Sequence, residues 1–470
     1  MSNYTSTRRD FLKAIGQGAV ALTMLPSFQS CIVSQKKPNI IFILADDLGW
    51  AELGCYGNTF NETPNLDKMA SQGMRFTQAY AAAPVCSPYR AALMTGQYPA
   101  RVGITDYLRW TSDPLPTRHV TIAEMLQQAG YKTGLIGKWH LTGYKDKGAK
   151  SEIPPTDHGF DEDILWEEKR RGEFNGWFND KQEYITDRLG KEAVQFIERH
   201  KNEPFFLYLS HYAPHTYLMG KAHLVNKYML KKKTGRYSWE SYSDNTMRVW
   251  KERYVTTQMA AVIESLDESV GIVMDKLDKL GLTDNTILVF TSDNGGEEFV
   301  TSNVPFRAGK STLYEGGIRE PLIIRWPGIV PKGAVCNTST MNVDFYPTFL
   351  ESIGIKPDPR QYLDGVSILP VLKDPRVTLE RNILYWHYPL EKPHFLGGRS
   401  SGAIRQGDWK LIEFFDTGTF ELYNLSEDIG EEHDLAAKMP EKVSDLHKML
   451  ADWRKKVGGT IPAGQKIPCM

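Results

Sequence analysis

Cysteine is scarce in this chain: five in 470 residues, Cys31, Cys55, Cys86, Cys336 and Cys469, with no CxxC pair and no spacing that suits zinc. Net charge is missing too. The 56 Lys and Arg against 57 Asp and Glu leave −1, which excludes a general attraction to nucleic acid or to an anionic membrane surface. Any anionic substrate has to be held by a local basic site. Past the N-terminus no apolar run reaches the length of a membrane helix, and no repeat or low-complexity segment is present. What is left is an ordinary soluble composition, 41% hydrophobic and 24% charged, in a chain long enough for one large domain and a smaller one.

Residues 1–31 read as an address. Thr7-Arg8-Arg9-Asp10-Phe11-Leu12-Lys13 is a twin-arginine pattern, and the apolar stretch Ala14–Leu25 behind it is short and contains Gly16 and Gly18. The expectation is an exported protein, in the periplasm or at the cell surface of a bacterium. Cys31, after Phe28-Gln29-Ser30, resembles a loose lipoprotein box, which would put a lipid there and provide the only membrane attachment. In an exported chain an odd cysteine count flags a thiol with another task.

The remainder alternates short apolar runs with helical patterns. Ile40–Leu44 is continuous and apolar, as in a strand buried on both faces of a parallel sheet. Thr63-Pro64 predicts a helix start with Thr63 as cap. Thr121-Ile122-Ala123-Glu124 is a capping box whose helix stops at Gly130. Strands follow at 131–136, 205–209 and 286–290, and the periodic segment 255–280 predicts a long helix ended by Gly281. This predicts an α/β fold, a large mostly parallel sheet sandwiched by helices, over residues 37–373. From 374 to 470 the pattern changes to antiparallel strands (401–415, 419–424) and a closing helix (440–457), a smaller α+β subdomain.

In such sheets ligands gather beyond the carboxyl ends of the strands. Four strand ends here deliver ligand-type residues: Asp46-Asp47, Lys138 with His140, His211 with His215, and Asp293-Asn294. Asp46, Asp47, Asp293 and Asn294 form an all-oxygen set for a hard divalent cation, Ca²⁺ or Mg²⁺. Without a metal, such carboxylates repel by roughly 4 kcal/mol per pair at 4 Å and an effective dielectric of 20. Cys86-Ser87-Pro88-Tyr89-Arg90 precedes Ala91-Ala92-Leu93, which places Cys86 at a helix N-terminus, a natural anion site, with the Arg90 fork beside it.

Cys86-x-Pro88-x-Arg90 followed by Leu93, Thr95 and Gly96 resembles the signature of the type I sulfatases, in the alkaline-phosphatase-like superfamily. Pro38–Gly49, Gly137-Lys138-Trp139-His140, Ala213-Pro214-His215, Ser292–Gly296 and Gly309–Gly317 resemble the family's other blocks in the same order, so the likeness spans about residues 37–415. Tyr89 stands where Ser is usual, and Tyr217 where Pro often follows. The resemblance implies that Cys86 is oxidised to formylglycine by a maturation enzyme and that one Ca²⁺ binds Asp46, Asp47, Asp293, Asn294 and position 86. It also implies that Arg90 and Lys138 hold the charge, that His215 or Lys310 protonates the leaving alcohol, and that His140 takes the proton that frees sulfate. The expected partner is a sulfated saccharide, an algal polysaccharide or glycosaminoglycan fragment.

Residues expected to bind the sugar are His387 (within Trp386-His387-Tyr388-Pro389), His394, Arg405 and Trp166, with Trp177 and Lys169-Arg170-Arg171 as further cleft candidates. Two other readings are open. One is a phosphoester or phosphonate hydrolase of the same superfamily, which would carry two zinc ions and more histidines. The other is an inactive carbohydrate-binding relative.

Overall fold

β1 (Asn39–Ala45) has every residue buried, and alternate side chains feed two cores. The computed structural model describes residues 36–109, 111–164, 177–178, 181–234 and 255–466. In chain order, α1 (Pro64–Gln72), β2 (Met74–Tyr80) and α2 (Cys86–Thr95) follow β1, then α3 (Ile122–Gln128), β3 (Lys132–Gly137), β4 (Glu162–Ile164), α4 (Ile185–Arg199) and β5 (Phe205–Ser210). α5 (Ala222–Thr234), α6 (Thr256–Lys279), β6 (Thr286–Ser292), β7 (Arg319–Arg325), β8 (Ala334–Cys336), β9 (Thr340–Met341) and α7 (Phe345–Ser352) complete the large layer structure.

The large sheet runs β4-β3-β5-β1-β6-β7-β2-β8, with β9 also on β2. β4, β3, β5, β1 and β6 are parallel neighbours, and β7 alone is reversed against both β6 and β2. Ile41 and Ile43 pack under α1, α4 and α6. Ile40, Phe42 and Leu44 pack under α2, α3 and α7. The mostly parallel, helix-sandwiched sheet agrees with the sequence reading.

Local signals explain most boundaries. Both bonds of the Thr121–Glu124 capping box are made, and Gly281 leaves α6 with φ +64. Thr63 behaves differently from expectation: its hydroxyl accepts from Gly54 N–H and donates to Asp67. The open N–H groups of α1, those of Asn65 and Leu66, are capped instead by the Asp267 carboxylate of α6. Tertiary structure supplied a better acceptor than the adjacent residue did.

The second sheet is the antiparallel meander β10 (Ile383–Tyr388), β11 (Ser401–Gln406), β12 (Trp409–Phe414) and β13 (Thr419–Asn424), packed with α8 (Pro440–Lys456). The sequence reading began this sheet at 401. Strand β10 precedes it and joins it to the large layer, because Trp386 donates its indole N–H to Ala81 O at 2.7 Å, five residues before Cys86. The N-terminal address with Cys31, Trp166 and the Lys169–Arg171 run lie outside the described residues.

Candidate active site

The carboxyl ends of β1, β3, β5 and β6 share one edge, so the residues that follow them converge there. Gly137, at φ +103, ends β3 where a Cβ would lie 1.9 Å from Ser210 O. Only glycine fits that approach, and it lets Lys138 N–H reach the same carbonyl at 2.9 Å. Asp47 and His140 hold φ of 64° and 58°, left-handed positions of the kind that recur where a site fixes its side chains.

The side chains meet as the strand-end rule predicts. Single ligand atoms of Asp46, Asp47, Cys86 and His215 all lie within 4.8 Å of one another, the one such group among the described residues. Lys138 Nζ donates to Asp46 at 2.6 Å and Lys310 Nζ to Asp47 at 2.5 Å. Arg90, fully buried, donates to Asp293 Oδ2 at 2.7 Å, to Ser210 Oγ at 2.6 Å and to Lys138 O at 2.9 Å. Asp293 Oδ1 accepts the Asp47 N–H, and Asn294 donates to Asp47 Oδ1 at 2.7 Å. Asp46 Oδ1 and Asn294 Oδ1 are buried with no hydrogen-bond partner among the described residues. Two such oxygens in an all-oxygen donor set are what a hard cation would satisfy.

Three carboxylates here face three cations. Burial acts to raise the pKa of Asp46, yet the charges of Lys138, Arg90 and Lys310 hold it far below the carboxylate range. Burial and the Asp46 charge push Asp293 up to about 7. Cys86 starts α2 with its thiol buried, and burial pushes its pKa up to about 11 despite Lys138 and Lys310. At neutral pH this sulfur is a thiol, a poor nucleophile.

The two histidines have different tautomers. His140 Nε2 is 3.1 Å from Leu108 O, so it carries the hydrogen, and Nδ1 is a buried acceptor. Burial, Lys138 and Arg90 keep this imidazole neutral. His215 Nδ1 donates to Thr216 O at 2.6 Å, which turns the Nε2 lone pair toward Lys310 Nζ at 3.4 Å.

Other expected residues fall elsewhere. His211 turns under α6, with Nε2 3.3 Å from Ser269 Oγ. His387 is buried against Phe415 and bonds Thr460 O at 2.9 Å. Arg405 bonds the Tyr80 hydroxyl, Gln78 at 2.6 Å and Gly407 O, at the junction of the two sheets. Neither joins the cluster: β10 and β11 bury both between layers. Trp177 stacks on Tyr184 and donates to Tyr217 O, beneath a Tyr217 side chain that is 90% exposed. His394 does sit near the cluster: its N–H donates to Gly398 O at 2.8 Å, and Gly398 runs against the backbone of Ser311, the residue after Lys310. Residues that sequence reasoning missed include Ser210, which braces Arg90, and Asn303, whose amide brackets Gly296 N–H and O next to Asn294. Both are lone polar residues, and no spacing pattern marks them.

The sulfatase family model matches residues 38–355, and the model described as "N-sulphoglucosamine sulphohydrolase, C-terminal" matches residues 308–456. A sulfatase of Formosa agariphila is 32% identical, over 93% of this chain and 91% of its own. The N-acetylglucosamine-6-O-sulfatase of Bacteroides thetaiotaomicron is 30% identical over 93% and 90%. A solved structure in complex with its substrate D-glucosamine-2-N,6-O-disulfate superposes with a TM-score of 0.73 at 27% identity, covering 92% of this chain and 100% of that one.

Proposed function

The chain belongs to the sulfatase family, and we propose on that footing that it removes sulfate from a sulfated carbohydrate with Ca²⁺ and a formylglycine made from Cys86. The observation that carries the reading is the place of Cys86. It opens α2 within 4.8 Å of ligand atoms of Asp46, Asp47 and His215, with Lys138 and Lys310 alongside. An inert thiol in that position has no use as a nucleophile, and oxidation to formylglycine would supply a reactive oxygen there.

The cluster also fits a divalent cation. Asp46, Asp47, Asp293 and Asn294 would hold it, two of their oxygens being buried without a hydrogen-bond partner among the described residues. When bound, it would polarise sulfate oxygens and the group at position 86. With Asp46, Asp47 and Asp293 all ionised around the cation, three carboxylates balance Arg90, Lys138 and Lys310, so a divalent cation would leave the pocket two charges positive, the sign a sulfate ester requires. Ca²⁺ suits a set dominated by carboxylates and an amide oxygen.

The chain's own residues divide the remaining work. Arg90 and Lys138 fix the floor and its charge. Lys310 faces His215 Nε2 and holds a proton that can pass to the leaving sugar oxygen. His140 offers a buried Nδ1 lone pair as the base. The names of the relatives point to amino-sugar sulfates as the first substrates to try.

The test is sulfate release from N-acetylglucosamine-6-O-sulfate, N-acetylgalactosamine-6-O-sulfate and 4-nitrophenyl sulfate by protein co-produced with a formylglycine-generating enzyme. Mass spectrometry of the peptide holding position 86 should find the aldehyde form in active protein. Activity with only unmodified Cys86 would overturn the formylglycine assignment, and turnover of no sulfated sugar, with good turnover of the aryl ester, would remove the carbohydrate. Export through the twin-arginine segment belongs to the same proposal. Replacing Arg8 and Arg9 by Lys should leave the protein in the cytoplasmic fraction.

A further inference from the structure

A small loop beside the cluster is wired to its floor. Leu108 N–H donates to Ser87 Oγ at 2.9 Å, next to Cys86, and Leu108 O accepts from His140 Nε2 at 3.1 Å. The side chains on either side of Leu108 are thereby fixed relative to the reacting position. Tyr107 lies edge-on to His394, ring centroids 5.6 Å apart at 81°. His394 in turn stacks on Phe395 at 4.4 Å and 28°. Arg109 lies over the Tyr107 ring at 4.5 Å and pairs with Asp106 at 3.1 Å.

The second strip, residues 394–398, is seated just as firmly. His394 N–H donates to Gly398 O at 2.8 Å. Gly398 runs so close to Ser311, the residue after Lys310, that a Cβ would lie 2.0 Å from Ser311 O. Ser311 N–H bonds Pro84 O at 2.8 Å, two residues before Cys86. Both strips therefore take their positions from the cluster itself. Yet Phe395 is 78% exposed and the Arg109 side chain 57% exposed. The exposed Phe395 ring is thus fixed in place next to an exposed ion pair, both tied by backbone bonds to the cluster.

We propose that Phe395, His394, Tyr107 and the Arg109–Asp106 pair form a sugar subsite, which stacks one face of a pyranose ring on Phe395 and binds its hydroxyl groups through the ion pair. This rests on the sulfatase reading above. A pyranose presents a C–H face that packs on an aromatic ring and an edge of hydroxyls that both donate and accept. The pair offers both functions: guanidinium N–H donors and carboxylate acceptors. Because Asp106 already balances Arg109, the pair has no net charge for a second sulfate, and it suits neutral hydroxyls better than an anionic substituent. His394 Nδ1 accepts Leu396 N–H at 3.2 Å, which leaves the ring hydrogen on Nε2 as a further donor. Burial, then Lys310 and Arg109, push the pKa of His394 down to about 4, so it stays neutral in this role.

The experiment compares Phe395→Ala, Arg109→Ala and Asp106→Asn with the parent enzyme on three substrates: N-acetylglucosamine-6-O-sulfate, D-glucosamine-2-N,6-O-disulfate and 4-nitrophenyl sulfate. For Phe395→Ala and Arg109→Ala the loss of kcat/KM on each sugar should exceed the loss on the aryl ester by about tenfold or more, carried by KM. Asp106→Asn should show the same bias, and the Arg109→Ala loss should be alike for the mono- and disulfated sugars. Equal losses on sugar and aryl ester would overturn the subsite. A loss confined to the disulfated sugar would overturn the hydroxyl assignment in favour of an anion reader. If the parent enzyme turns over the aryl ester and none of the sugars, the carbohydrate reading itself fails, an outcome distinct from both.

Discussion

Lys310 Nζ lies 2.5 Å from Asp47 Oδ2 and 3.4 Å from His215 Nε2, so one ammonium joins a metal-type carboxylate to an imidazole. Burial and the Lys310 charge push the pKa of His215 down. Against burial, the Asp47 carboxylate holds that of Lys310 above its ordinary value. At neutral pH the proton therefore sits on Lys310, and the lone pair on His215 Nε2 orients it.

The first prediction follows from that proton. Lys310→Ala should lower kcat on a sugar sulfate by roughly 10²–10⁴-fold, the usual worth of a positioned acid. The loss on 4-nitrophenyl sulfate should be much smaller, because nitrophenolate leaves without being protonated. Steady-state kinetics on the two esters decides it. Equal losses would mean that Lys310 contributes charge alone.

The second prediction concerns the cation. Asp46 Oδ1 and Asn294 Oδ1 gain a partner when a cation binds. Calorimetry on chelator-treated protein should show the melting temperature rise on adding Ca²⁺, since ligand at a hundred times Kd contributes about 2.7 kcal/mol. Asn294→Ala should weaken that shift. A melting temperature indifferent to Ca²⁺ and Mg²⁺, with full activity after chelation, would remove the metal.

A third prediction lies outside the cluster. Lys410 Nζ sits 2.9 Å from Glu315 and 2.8 Å from Glu431, with all three side chains fully buried. Lys410 comes from β12, while Glu315 ends the loop that carries Lys310, so the small sheet holds this loop through the ion triad. Lys410→Met would leave the buried Glu431 without its cation, while Glu315 keeps Arg319 at 3.1 Å and the Tyr80 hydroxyl at 2.7 Å, and should cost about 3–5 kcal/mol in denaturant unfolding. Adding Glu431→Gln should recover much of that stability, since Glu431 is the carboxylate that Lys410 alone balances. If Lys410→Met unfolds like the parent, the triad holds nothing.

These examples show what a sequence can and cannot disclose. Asp46, Asp47, Lys138, His140, Asp293 and Asn294 were legible because each follows an apolar strand whose end marks the ligand edge. The meander from Ser401 to Asn424 was legible from its turns. β10 was not: Trp386 and His387 look like pocket residues until the structure shows them sandwiched between layers. Asp267 capping α1 from about two hundred positions away, and Lys410 meeting Glu315, are products of tertiary folding with no local trace. The Tyr107–Arg109 rim lies in a loop without periodicity, and only its bonds to Ser87 and His140 reveal it.

The last prediction separates structure from catalysis at His387. Its Nε2 is 2.9 Å from Thr460 O, so the hydrogen is there, and Nδ1 is buried without a hydrogen-bond partner among the described residues. Burial, then the nearby Arg454 charge, depress its pKa to about 4 from an ordinary 6.5. Between those values the unfolded chain binds more protons at this residue than the folded one does. The contribution of His387 is thus whole above about 6.5 and lost as pH falls toward 4, up to roughly 3 kcal/mol. Thermal unfolding followed between pH 7 and pH 4 should fall less steeply in His387→Gln, which cannot take up the proton, than in the parent. Because His387 touches Thr460 and Phe415 and no member of the cluster, any loss of turnover in the variant should be equal on sugar and aryl sulfates. A loss confined to the sugar would instead place His387 in substrate binding, and a pH slope identical to that of the parent would show that its burial carries no linkage.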